Sequence, residues 1–127
     1  MLENALVDFV SRYDHVIDKL SFNFVSKEQL FKMNQKFLNH NNYTDIISFD
    51  YSQNNTLRAE FFISLWAVDV SSIEHGQTLE NELLRVVSHG VLHCIGFNDK
   101  NNQQKFEMRR NEDEFIDMFH VKHKRYV

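Results

Sequence analysis

Residues 88–99 read Ser-His-Gly-Val-Leu-His-Cys-Ile-Gly-Phe-Asn-Asp, and no other stretch dictates as much of the fold. His89 and His93 stand four apart, which on a helix sets two imidazoles one turn apart on the same face. Gly96 follows three residues after His93. Helices commonly end there in a left-handed residue, a conformation glycine adopts without penalty. A helix that stops at Gly96 lets the chain double back and carry the Asp99 carboxylate toward the imidazoles. Two nitrogens and one oxygen form a metal-ligand set, and a tetrahedral ion held by three side chains keeps one position open. That is the pattern of a catalytic rather than a structural zinc. His89, His93 and Asp99 are therefore the candidate ligands.

Seven histidines in 127 residues make one accidental pair at this spacing unremarkable. The weight lies in the concentration: Gly90, Gly96 and both histidines, two of the chain's three glycines among them, fall within residues 89–96. Gly90 also narrows the chemistry. In zinc peptidases with an H-E-x-x-H helix, the residue after the first histidine is the glutamate that serves as general base. Glycine cannot take a proton, so a peptidase of that mechanism is disfavoured.

The rest of the chain supplies a mixed framework. Residues 3–19 place Leu6, Phe9, Val10, Tyr13, Val16 and Ile17 at helical spacing, and residues 20–26 alternate as a strand does. Ser26 with Gln29 opens a helix through residue 38, and residues 44–51 read as a β-branched, aromatic strand. Residues 52–58 read as a turn and 59–68 as a third strand. Residues 71–78 read as a loop whose Thr78 caps the helix 79–95. A last helix covers 103–119. Strands and helices mix without strict alternation, so the expected class is α+β: one domain over residues 1–127, a small mixed sheet covered by helices, and a zincin-like site at the end of a helix.

Composition excludes several roles. The net charge is −4, which argues against coating nucleic acid by bulk electrostatics. There is one cysteine, Cys94, so no internal disulfide forms, and no apolar run is long enough for a membrane span. With no secretory leader in the first residues, the expected location is the cytoplasm.

The residues quoted above also carry a resemblance. The run from His89 to Asp99 resembles the H-G-x-L-H-x-x-G-[FY]-x-x signature of the YbeY family, metal-dependent endoribonucleases of ribosomal RNA maturation. The stretch from Asn34 to Tyr51 looks like that family's Asn, aromatic, loop and Thr-Asp-hydrophobic-hydrophobic-Ser-Phe segment. Residues 59–64 and 82–90 are similar to its next strand and to the helix entering the signature. The likeness runs in consistent order from about Phe22 to Phe115. It implies one zinc ion per chain and hydrolysis of single-stranded RNA, with small-subunit rRNA 3′-end processing and ribosome quality control as the role. It implies the small ribosomal subunit and assembly factors as partners, with neither DNA nor a membrane among them. Two alternatives stand beside it: a zinc metallopeptidase, and a non-catalytic ribosome-assembly factor with a structural metal.

Four positions depart from the family pattern. Asp99 stands where most members have a third histidine, and Leu38 where many have an arginine. Ala59 and Glu60 replace Gly-Asp, and Glu60 reads more readily as an exposed strand carboxylate than as a base. For the missing arginine, the candidate catalytic residues are Arg85, four before His89, and His40. Arg85 has a plainer role available, pairing with Glu82 or with a carboxylate of the last helix. Lys122, Lys124 and Arg125 offer an outer phosphate contact. Phe97, Phe49 and Tyr51 are possible base-stacking surfaces, and Cys94 is expected to be a small core residue.

Overall fold

A computed structural model describes residues 2–38 and 44–122. The order is α1 (Leu2–Ser11), β1 (Val16–Val25), α2 (Lys27–Leu38), β2 (Ile46–Asp50), β3 (Thr56–Ser64), α3 (Leu65–Glu74), α4 (Leu79–Ile95) and α5 (Asn102–Lys122). The sheet runs β1-β3-β2, with β1 parallel and β2 antiparallel to the central β3. The α+β class and the helix-covered mixed sheet are as expected.

Three expectations are corrected. The first helix ends at Ser11 rather than near residue 19. Asp14 takes a left-handed φ of 58°, the His15 N–H turns back to the Val10 carbonyl, and the β-branched Val16 and Ile17 pair with Thr56 and Leu57. Val16 and Ile17 fit a helical repeat from Leu6, but β3 offers them a ladder. The second correction is α3, which occupies much of the run read as strand and loop. Ser64 ends β3 and also caps α3, its hydroxyl accepting from the Ala67 N–H at 3.1 Å. The turn between β2 and β3 is tighter than expected: Asn54 and Asn55 both take positive φ, and β3 begins at Thr56.

Leu57, Ala59, Phe61 and Ile63 alternate along β3 and are buried with α1, α4 and α5. Phe9 of α1 meets Phe115 of α5 with ring centroids 5.0 Å apart. The opposite face is covered by α2, whose Phe37 meets Phe49 edge-on, as Phe49 meets Phe62. Helix α4 crosses β2 and β3 and has α3 on one side and α5 on the other.

Gly90 is where α4 comes down on the sheet. A Cβ there would lie 2.8 Å from Phe61 Cε1 and 3.1 Å from Ile46 Cδ1. That is closer than carbon atoms pack, so the helix rests at this depth only with glycine.

Candidate metal centre

Thr78 starts α4 by accepting the Asn81 N–H at 3.1 Å, and Gly96 ends it at φ 127°. The Gly96 N–H reaches the carbonyls of Leu92 and His93, and the Phe97 N–H reaches Leu92 O at 3.0 Å. This turn reverses the chain as expected, and it delivers two groups. The Phe97 carbonyl lies 2.9 Å from His93 Nδ1, and Asp99 Oδ2 lies 3.4 Å from His89 Nε2 and 3.6 Å from His93 Nε2.

His89 is oriented from the other side. Its Nδ1 is 2.7 Å from Glu112 Oε2, a buried carboxylate on α5. Both Nδ1 atoms thus face groups that only accept, so each carries the proton and donates it. The neutral imidazoles then present bare Nε2 lone pairs to one another at 3.0 Å, with the Asp99 oxygen beside them. Three electron-rich atoms converging on one point repel unless a proton or a metal cation lies among them. An ion about 2.0–2.1 Å from each of three tetrahedral ligands sets those ligands about 3.3 Å apart. The observed 3.0, 3.4 and 3.6 Å fit that spacing, so His89, His93 and Asp99 can hold a metal ion. Burial alone would lower the proton affinity of His89, but the Glu112 hydrogen bond and charge outweigh it and raise its pKa.

His89 and Asp99 border a cleft of about 350 Å³, together with Asp45, Ser71, His75, Glu82, Arg85, Lys105, Arg109 and Glu112. Arg85 is at this cleft, but its guanidinium is engaged. Nη1 donates to Glu112 Oε1 at 3.0 Å and Nη2 to Asp113 Oδ1 at 2.6 Å. The plainer role, pairing with a carboxylate of the last helix, is the one observed. Arg85 also reaches His89 through Glu112, as a positioning residue. Its pKa is raised: burial works against the charge, and the two carboxylates prevail.

Other candidates fall elsewhere. Glu60 is exposed and borders a different depression with Lys19 and Arg58, so it does not meet the ligands. Phe97 packs edge-on against Tyr13, Phe49 lies among Phe37 and Phe62, and Tyr51 borders the Glu60 depression. Cys94 is half-buried against the core, and burial together with Asp50 pushes its thiol up to about 12. His40, Lys124 and Arg125 lie outside the described residues, as do the side chains of Leu38 and Lys122.

The sequence alone assigns no role at this cleft to Glu112, Asp45 or His75, and names Glu82 only as a possible partner of Arg85. Glu112 was hidden in the charged run from Arg109 to Glu114. Asp45 borders the cleft, and its carboxyl is raised by burial despite the nearby His89. His75 and Glu82 form a hydrogen-bonded pair at 3.0 Å, with Ser71 donating to the same Glu82 oxygen at 2.6 Å.

Comparison with known proteins supplies the family. The profile of the family described as Endoribonuclease YbeY matches residues 2–120. The chain is similar to the Endoribonuclease YbeY of Flavobacterium johnsoniae, with 40% identity over 94% of this chain and 88% of that one. It is also similar to that of Christiangramia forsetii, with 43% identity over 83% of this chain and 73% of the other. Among solved structures, it resembles the solution structure of TM1509 from Thermotoga maritima. That match has a TM-score of 0.70 and 25% identity, covering 98% of this chain and 83% of that one. On sequence and fold together, the chain belongs to the YbeY endoribonuclease family.

Proposed function

We infer that this chain is a zinc-dependent endoribonuclease that hydrolyses single-stranded RNA. Its role is the maturation of ribosomal RNA, at the 3′ end of the small-subunit transcript and in ribosome quality control. The small ribosomal subunit and its assembly factors are the partners, in the cytoplasm. The observation that carries this reading is the convergence of two Nδ1-protonated imidazoles and Asp99 beside an open cleft. Zinc, when bound, supplies Lewis acidity toward a phosphate oxygen and lowers the pKa of water toward ~7.

The chain's own residues do the positioning. Glu112 and the Phe97 carbonyl hold the two ring protons, which leaves both Nε2 atoms free to hold an ion between them when one is bound. Arg85, itself held by Asp113, fixes Glu112 in turn. Gly90 opposes the peptidase alternative on packing as well as on chemistry, since a side chain there would enter Phe61. The discriminating experiment gives zinc-loaded protein single-stranded RNA, duplex RNA and casein. We expect cleavage of the single strand alone, lost in His93→Ala. Faster proteolysis than RNA cleavage would install the peptidase, and bound zinc with no cleavage of any substrate would install the assembly factor.

A further inference from the structure

An RNA strand entering this cleft meets the carboxylates of Asp45, Glu82, Asp99 and Glu112. The metal offsets part of that charge, and Arg85 is already committed to Glu112 and Asp113. Lys105 and Arg109 remain. On α5, positions 105, 108, 109 and 112 share one helix face, and all four residues border the cleft. Met108 and Glu112 are buried and anchor that face, whereas Lys105 and Arg109 are exposed and in no ion pair among the described residues. They form a pair of uncommitted cations one turn apart.

Across α4, on α3, lies the chain's single tryptophan. Trp66 is 52% exposed, and Lys27 Nζ sits 4.0 Å from its ring centroid. It borders a second depression that shares Asp45 and Ser71 with the first cleft, so the two adjoin. Lys27 lies over one face of the indole, and the exposed remainder offers a surface on which any base can stack, with a charge for the adjoining phosphate.

We propose that the RNA strand crosses α4 along this line. Lys105 and Arg109 hold the backbone on the α5 side, and Trp66 stacks a base on the α3 side, with the scissile phosphate between them at the metal ligands. This inference rests on the endoribonuclease reading. It places phosphate-binding charge on α5.

Trp66, as the only tryptophan, reports on the track directly. Zinc-loaded protein is titrated with a 2′-O-methyl single strand of about eight nucleotides, checked by gel to stay intact. We expect saturable quenching of Trp66 emission by the single strand and none by the same sequence as a duplex. By anisotropy of the labelled strand, Trp66→Ala weakens binding about tenfold and Trp66→Phe restores most of it. Lys105→Ala with Arg109→Ala keeps its zinc, binds more weakly, and flattens the salt slope by about 1.4, the share of two single-strand phosphates. A protein that cleaves RNA yet shows unquenched Trp66, or a double variant with the wild-type slope, overturns the track and leaves the endoribonuclease reading intact. A protein that shows the quenching and the flattened slope but cuts no RNA supports the track and counts against that reading.

Discussion

Two histidines at the same cleft are each backed by a buried glutamate: His89 by Glu112 and His75 by Glu82. Pairwise they look alike, with Nδ1 to carboxylate distances of 2.7 and 3.0 Å. Their surroundings differ. His89 has a second imidazole and a third carboxylate converging on its Nε2, and its side chain is 30% exposed. His75 is 54% exposed, and no other ligand-type group converges on it among the described residues. Its glutamate instead receives the Ser71 hydroxyl and ties the end of α3 to the first turn of α4. A carboxylate behind an imidazole fixes a tautomer in both places. Only convergence makes one of them a candidate metal centre.

The comparison is broken most severely by removing ligands. Protein purified without chelator should carry about one zinc per chain, and His89→Ala or His93→Ala should carry almost none by elemental analysis. Asp99→Ala should bind weakly, and Asp99→His should retain the ion. Stoichiometric zinc in all three alanine variants would dissolve the distinction between the two histidines.

The next effect separates the glutamates themselves. Glu112→Gln should weaken zinc binding by roughly 10- to 100-fold, since it removes the charge that orients His89. Glu82→Gln should leave zinc affinity unchanged. Equal losses in competition titrations would mean that both pairs serve the metal.

Glu82 should instead appear in stability. Burial would raise its pKa, but hydrogen bonds from Ser71 and His75 lower it below the ordinary carboxylate value. A depressed carboxyl stabilises the fold above its unfolded-state pKa, and that contribution is lost as pH falls through the folded-state value. Glu82→Gln should therefore cost about 1–3 kcal/mol near neutral pH. The gap to wild type should close on acidification. Urea unfolding at both pH values measures it, and a gap that grew in acid would contradict the assignment. His75→Ala is the smallest perturbation, under about 1 kcal/mol, because its half-exposed ring is screened by solvent. A larger loss than Glu82→Gln in the same unfolding series would show that the imidazole, not the carboxylate, anchors α3 to α4.

The ligand helix was legible because its signals are local: a capping threonine, apolar periodicity, a paired histidine spacing and a terminal glycine. The same locality brought Asp99 into the reading. What lay outside it depended on distant partners. Val16 and Ile17 satisfy a helical repeat and a strand equally, and only β3, forty residues on, decides between them. Ser64 ends a strand and caps a helix in one residue, with neither proline nor glycine to mark the boundary. Glu112 looks like one more charge on a solvated helix until α5 folds against α4, and Trp66 was hidden inside a run read as strand.

Gly90 has a consequence for how such sites diversify. Changing H-G-x-x-H to H-E-x-x-H is a small step in sequence, but the first carbon of the new side chain would collide with Phe61. Phe61 is fully buried and stacked on Phe22 at 5.0 Å, so shrinking it first would open a hole in the core. Either order of the two changes passes through a poorly packed intermediate. The two positions are therefore epistatic, and the sheet beneath the cleft restricts which hydrolytic chemistries lie within mutational reach of this lineage.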